Sequence, residues 1–185
     1  AEASVELPGL SPDSIQGDRV CASLFATLGV DTCPTPEGGL RLRKRQGYQR
    51  PSAMQHYAMA DCPDLAQGLV VTAALLDISF TCNGLESLKI KETDRMEALL
   101  REMKKLGRHL HAPDDGHLTF MPTDSEKAAE DMVPPCIETY DDHRMAMAFA
   151  PAAWCFPGLQ IAHPEVVSKS YPEFWEHLAC LTSAS

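Results

Sequence analysis

The feature that most constrains this chain is an internal repeat. Gly29 and Gly107 each close a segment with helical apolar spacing, and they stand 78 residues apart. Asp64 and Asp142 each open a second, strongly apolar helical segment, also 78 residues apart. Each unit reads helix, hairpin, strand, helix, strand. The period exceeds the roughly 20–50 residues of solenoid and propeller repeats, so the unit is a supersecondary structure in its own right. Two mixed units side by side predict an α/β (α+β) architecture in which helices pack inside a sheet-walled globule.

Local signals place the elements. Ile15, Val20, Leu24 and Leu28 predict a helix over 13–28, capped by Ser11 or Asp13 and ended by Gly29. Leu40 to Arg43 alternates as a strand, His56 to Cys62 reads as another, and Asp64 to Leu76 as a second helix. Short extended segments are predicted at Phe80–Cys82 and Ser87–Ile90. The order then returns. A helix is expected from Asp94 to Leu106, and a hairpin turning at Asp114-Asp115-Gly116 joins Leu110 to the Leu118–Phe120 strand. Cys136 to Thr139 is expected to be extended. A helix from Asp141 to Trp154 kinks at Pro151, a strand covers 159–161, and a last helix starts at Pro172.

Composition bounds the function. With 185 residues, 44% of them hydrophobic, the chain suits one compact domain over 1–185 with a sizeable core. A net charge of −10 gives no overall footprint for nucleic acid or an anionic membrane, so any bound anion needs a local cluster of cations. No stretch reaches the ~20 apolar residues of a membrane span, and no signal-peptide pattern begins the chain. Seven cysteines with no CxxC predict buried free thiols in a reducing cytosol, Cys155 and Cys180 among them, and hence a cytoplasmic protein. The Leu7–Leu10 opening reads as the middle of something larger, which suggests a fragment boundary.

Four polar segments sit where a strand or loop gives way to a helix. Lys89 to Met96 holds four charged side chains between Lys91 and Arg95. Lys91 and Arg95 offer cationic donors beside a helix N-terminus, and Glu92 is a carboxylate suited to acid or base work. The plainer reading makes the segment a solvated cap with Thr93 or Asp94 at the N-cap. Glu138 to Met147 opens another helix, capped by Asp141 or Asp142, with His143 and Arg144 in the first turn. A cation there opposes the helix dipole, which invites a functional explanation. Lys169 precedes the last helix. Asp64 precedes a very apolar one, where an N-cap role is the simplest reading. Converging on one face, Lys91, Arg95, Arg144 and Lys169 would form an anion site with Asp64 and Glu92 beside it.

These residues carry a family resemblance. Lys89 to Ala98 (Lys-Ile-Lys-Glu-Thr-Asp-Arg-Met-Glu-Ala) resembles the signature of the 5-enolpyruvylshikimate-3-phosphate synthases. Thr139 to Met147, Ser168 to Trp175 and Ser14 to Asp18 are similar to further segments of that family, in order along the chain. The resemblance implies an enolpyruvyl transferase fold of βαβαββ repeats, of which this chain would hold about two and a half. It implies transfer of the enolpyruvyl group of phosphoenolpyruvate to the 5-hydroxyl of shikimate 3-phosphate, in the shikimate pathway to chorismate. Neither metal nor organic cofactor is implied, and glyphosate competes at the phosphoenolpyruvate site.

By the same resemblance, Asp64 holds the shikimate hydroxyls and is a candidate base, and Lys91 lies near the attacking hydroxyl. Glu92 moves protons at the phosphoenolpyruvate methylene. Arg95, Arg144 and Lys169 bind phosphoenolpyruvate, and His143 lines its site. Ser87 stands where an asparagine contacting the shikimate phosphate is expected. Family members are more than twice as long, with the site between two similar domains. This chain matches a C-terminal part that lacks its partner domain and is expected to be inactive alone. Rival readings are a UDP-N-acetylglucosamine enolpyruvyl transferase, a non-catalytic anion-binding half, and a metal site at His109, His111 and His117.

Overall fold

The computed structural model describes residues 3–123 and 134–183. Among the described residues nine strands and five α-helices follow one another, with short 3-10 turns between them. The elements are β1 (Ser4–Pro8), α1 (Cys21–Ala26), β2 (Val30–Thr35), β3 (Gly39–Lys44), β4 (Gln55–Ala58), α2 (Ala66–Leu75), β5 (Phe80–Asn83) and α3 (Arg95–Lys105). Then come β6 (Leu110–Asp114), β7 (His117–Phe120), β8 (Cys136–Ile137), α4 (His143–Phe149), β9 (Gln160–Ile161) and α5 (Phe174–Ser183).

The strand pairing repeats between the two units. The hairpin β2–β3 adds antiparallel to β1, and the hairpin β6–β7 adds in the same sense to β5. β4 runs parallel to β5 across α2, and β8 parallel to β9 across α4. A parallel pair needs a crossover connection, and in both units a helix supplies it. Gly29 and Gly107 take φ of +86° and +70° just past α1 and α3, the left-handed stop their positions require.

Helices α2, α3 and α4 supply the core, whereas α1 has no buried residue. Seven of the ten residues of α2 are buried, including Leu69, Val70 and Val71, so the helix is enclosed on nearly every side. That is why its sequence is apolar all round and lacks a polar face. α3 is amphipathic: Leu99, Met103 and Leu106 face the core, while Arg101 is exposed. α4 adds Met145 and Phe149 to the same core, with Phe80 and Phe120 from the sheet.

Several local expectations are corrected. Residues 11–16 do not join the first helix. Ser11 and Ser14 hydroxyls accept from the amides of Asp13 and Gln16, at 3.1 and 3.2 Å, and this local bonding competes with a helical turn. Ile15 is left fully exposed. Ser87–Ile90 is not extended but part of a 3-10 helix, Glu86–Ile90, which places Leu85 and Leu88 on one buried side. The hairpin tip holds it there, through Leu85 N–H donating to Gly116 O at 3.2 Å and a Lys89–Asp115 ion pair. Lys169 ends a 3-10 helix, Pro164–Lys169, and does not abut α5. Cys155 and Cys180 are exposed, whereas Cys62 and Cys82 are buried. No helix among the described residues is long and apolar enough to cross a membrane.

Gly84 sets how closely two site-bearing loops approach. Its φ is +77°, and an added Cβ would stand 2.5 Å from Ala60 N and 2.8 Å from Ala60 Cα. Backbone cannot yield as a flexible side chain can. Gly84→Ala is therefore expected to cost roughly 2–4 kcal/mol. Thermal melting should show this as a fall of roughly 5–15 °C, and an unchanged melting temperature would refute the close approach.

Candidate active site

Arg95 is the first residue of α3 and is 1% exposed. A buried guanidinium must spend its donors on protein acceptors, and this one meets three carboxylates. Its Nε donates to Asp142 Oδ2 at 2.6 Å, Nη1 to Asp64 Oδ1 at 2.8 Å, and Nη2 to Glu92 Oε2 at 2.6 Å. Asp142 is fully buried and also caps α4, accepting from Arg144 N–H at 2.8 Å. Of the two candidate caps, Asp142 is the one used. In α3 the cap is Asp94, which accepts from Glu97 N–H at 3.0 Å.

Asp64 is not an N-cap, contrary to the simplest reading of its position. It lies in the 3-10 turn Pro63–Leu65, and its carboxylate turns to cations. Besides Arg95 it meets Lys91 Nζ at 3.3 Å and Arg144 Nη2 at 3.3 Å, while Arg144 Nη1 donates to its backbone carbonyl at 3.0 Å. Burial pushes the Asp64 carboxyl up, but Arg144, Lys91 and Arg95 together outweigh it and hold it below its ordinary value. Asp64 is thus an ionised acceptor at neutral pH.

Three cations and three carboxylates from three separate junctions therefore form one cluster. Their exposure differs in a way that matters. Lys91, Arg144 and Asp64 are each about one-third exposed and Glu92 is 47% exposed, whereas Arg95 and Asp142 are sealed. The open side presents two cations, a partly exposed carboxylate held by cations, and a second carboxylate at the rim. Such an arrangement can take an anion and offer proton acceptors beside it.

Of the residues singled out in the sequence, Asp64, Lys91, Glu92, Arg95 and Arg144 come together. Ser87, His143 and Lys169 make no hydrogen bond or ion pair to this cluster among the described residues. Ser87 is half-buried on the 3-10 helix Glu86–Ile90, which packs beside the Asp64 turn. His143 is half-buried at the start of α4. Lys169 is exposed, and Val166 and Val167 of its 3-10 turn pack against Ala146 of α4. Among the described residues no His, Cys, Asp and Glu group is arranged to hold a metal ion, and His117 is instead paired with Asp114 at 2.7 Å.

Sequence reasoning missed a second set of contacts, which holds the β8–α4 connection along α3. Lys105 Nζ donates to Cys136 O at 3.0 Å. Glu102, fully buried, accepts from Glu138 N–H at 3.0 Å and from the Tyr140 hydroxyl at 2.7 Å, and pairs with Lys105 at 2.6 Å. Arg95 then holds Asp142. Burial first, then the Glu102 carboxylate, push the Tyr140 hydroxyl up to about 12, against an opposing Arg101. Tyr140 and Asp141 both have left-handed backbones, with φ of +54° and +55°. Each such non-glycine residue costs roughly 1–3 kcal/mol, so the surrounding contacts must hold the turn. One signal was available: Glu102 lies two turns after Arg95 on the buried face of an amphipathic helix, where an unpaired carboxylate is not tolerated.

The chain has relatives among known proteins. The 3-phosphoshikimate 1-carboxyvinyltransferase of Bacteroides fragilis is 52% identical over 177 residues, covering 96% of this chain and 41% of that protein. The Ralstonia pickettii protein of the same name is 33% identical over 184 residues, covering 97% and 40%. An EPSP synthase structure from Acinetobacter baumannii superposes with a TM-score of 0.67 at 21% identity, covering 98% of this chain and 41% of that one, which supports the shared fold. The chain thus spans about two-fifths of the length of the relatives it matches. The family model described as EPSP synthase (3-phosphoshikimate 1-carboxyvinyltransferase) matches residues 1–178, and the chain belongs to that family.

Proposed function

We propose that this chain supplies one of two similar domains of a 3-phosphoshikimate 1-carboxyvinyltransferase, and that its cluster forms one wall of the site for phosphoenolpyruvate and shikimate 3-phosphate. The observation that carries this reading is the meeting of Asp64, Lys91, Glu92, Arg95 and Arg144 in one half-open cluster. The residue types suit the chemistry. The 5-hydroxyl oxygen bonds to C2 of phosphoenolpyruvate and loses its proton, while C3 gains one. C3 then gives up a proton as the C2–O bond to phosphate breaks. Fixed cations stabilise the phosphate and carboxylate, and two carboxylates serve the proton transfers.

In this reading Asp64, kept ionised by its cations, orients the hydroxyl and accepts its proton, with Lys91 beside it. Arg144 binds phosphoenolpyruvate, joined by Lys169 and His143 as the loops close around it, and Ser87 faces the shikimate phosphate. Every nitrogen of Arg95 already meets a carboxylate, so a substrate anion reaches it by replacing its most exposed partner, Glu92, at Nη2. That exchange frees the Glu92 carboxylate at the moment a proton carrier is needed.

Amide chemical shifts of the 185-residue chain, followed while phosphoenolpyruvate and shikimate 3-phosphate are added together, test the site. Lys91, Glu92, His143 and Arg144 are expected to move. Movement only at distant residues, or none at millimolar ligand, overturns the assignment. Phosphate release by this chain alone is expected to stay at background, because the other wall of the site lies outside it. Turnover by the chain itself, free of host enzyme, would refute that division of labour.

A further inference from the structure

The turn that delivers His143 and Arg144 is held from behind. Tyr140 and Asp141 are consecutive non-glycine residues in left-handed conformation, directly before the buried Asp142. Tyrosine rarely takes that backbone, aspartate takes it more readily but still at a cost, and no glycine relieves the pair. What opposes relaxation is α3. Its buried Glu102 accepts from the Tyr140 hydroxyl at 2.7 Å and from Glu138 N–H at 3.0 Å. Two turns earlier on the same helix, Arg95 takes Asp142, whose other oxygen accepts from Arg144 N–H. The connection is therefore clipped to α3 on both sides of the left-handed pair.

We infer that Glu102 and Tyr140 are positioning residues for the anion site: the Tyr140 hydroxyl, seated on Glu102, keeps the left-handed turn that aims His143 and Arg144 at the Asp64 side of the cluster. The inference rests on the reading of Arg144 as a substrate-binding cation. Neither Tyr140 nor Glu102 meets the substrate. Their effect is transmitted through the backbone of 140–142 and the Asp142 cap. Without the hydroxyl contact, Tyr140 and Asp141 relax to ordinary backbone angles. Asp142 then turns away from Arg95, and Arg144 leaves Asp64.

The test uses Tyr140→Phe in the 185-residue chain, with and without Asp141→Gly. Glycine adopts positive φ freely, so the second change removes much of what the strut must oppose. Three quantities are measured: the thermal melt, the Arg144 amide resonance without ligand, and the dissociation constant for phosphoenolpyruvate. Tyr140→Phe is expected to melt cooperatively, to shift the Arg144 amide, and to bind phosphoenolpyruvate about tenfold more weakly, as the loss of one charge-assisted hydrogen bond permits. Adding Asp141→Gly is expected to return the amide toward its original position and to recover about threefold of the affinity. A role in packing alone would not produce that rescue.

An unmoved Arg144 amide with unchanged affinity in Tyr140→Phe overturns the inference, as does a weakened variant that glycine fails to restore. If the unaltered chain does not bind phosphoenolpyruvate, the functional reading fails instead. The ligand-free Arg144 amide then still decides whether the strut holds the turn. Should Tyr140→Phe not fold, Glu102→Gln takes its place with the same readouts, since it keeps one acceptor while losing the second.

Discussion

Arg95→Met is expected to cost the chain about 3–5 kcal/mol, the loss typical of removing one member of a buried, hydrogen-bonded ion set. Stability of a domain this size is roughly 5–15 kcal/mol, so much of it should go, and denaturant unfolding should begin at far lower concentration or lose cooperativity. The reason lies in what remains. Asp142 is fully buried and would keep one amide donor, from Arg144, while losing the one cation it meets among the described residues. Asp64 would lose its 2.8 Å partner but keep Lys91 and Arg144.

Arg95→Lys should recover only part of this, because one ammonium cannot span three carboxylates as a planar fork does. Pairing Arg95→Met with Asp142→Asn should recover more than the lysine does, since it removes the stranded charge. Acid probes the same network. The Asp64 carboxyl is held below its ordinary value, so its contribution is present above that value and is lost as pH falls through the lower folded one. A near-neutral effect of Arg95→Met in urea unfolding would contradict the picture of Arg95 as the centre of the cluster. In this structure Arg95 holds Asp64, Glu92 and Asp142 together.

The second large effect concerns Glu92 in the full-length transferase of which this chain is the proposed part. Glu92→Gln is expected to lower kcat by roughly 10²–10⁴-fold, the usual contribution of a positioned proton carrier. KM for phosphoenolpyruvate should change by less than about threefold, as for a group that acts in the transition state and not in binding. Glutamine keeps an oxygen that can accept from Arg95 Nη2, so the 2.6 Å contact has a neutral substitute. What glutamine cannot do is carry a proton to and from C3. Because Glu92 is 47% exposed, the exchange is not expected to disturb the fold, and an unchanged melt should accompany the lost turnover. Normal kcat in this variant would remove Glu92 from the proton-transfer steps, whereas a rise in KM alone would make it a binding residue.

Much of the fold was legible in the sequence. Repeated spacing of helix-closing glycines, apolar helices and turn residues predicted two equivalent units, and the pairing of β5 with β7 mirrors that of β1 with β3. The failures were local. At 11–16, serine side chains bonded to nearby amides and stopped a helix that apolar spacing suggested. At 86–90, a hairpin tip from further along the chain imposed a helical turn on a segment read as extended. In the site, the types and junctions were legible, and of the two readings open for Asp64 the cap is not the one realised: its carboxylate serves Lys91, Arg95 and Arg144.

By itself, the sequence determined the repeat, the enclosed helix α2, and the gathering of polar residues where strands give way to helices. Those features depend on periodicity and on backbone angles set within a few residues. Only the tertiary structure decided which charge meets which. Arg95 finds Asp142 across 47 residues and Arg144 finds Asp64 across 80, and no local rule selects such partners. They are chosen by the packing of α2, α3 and α4. That packing buries Arg95 and leaves Lys91 and Arg144 partly open, and burial makes the difference between a guanidinium committed to carboxylates and cations that still face solvent.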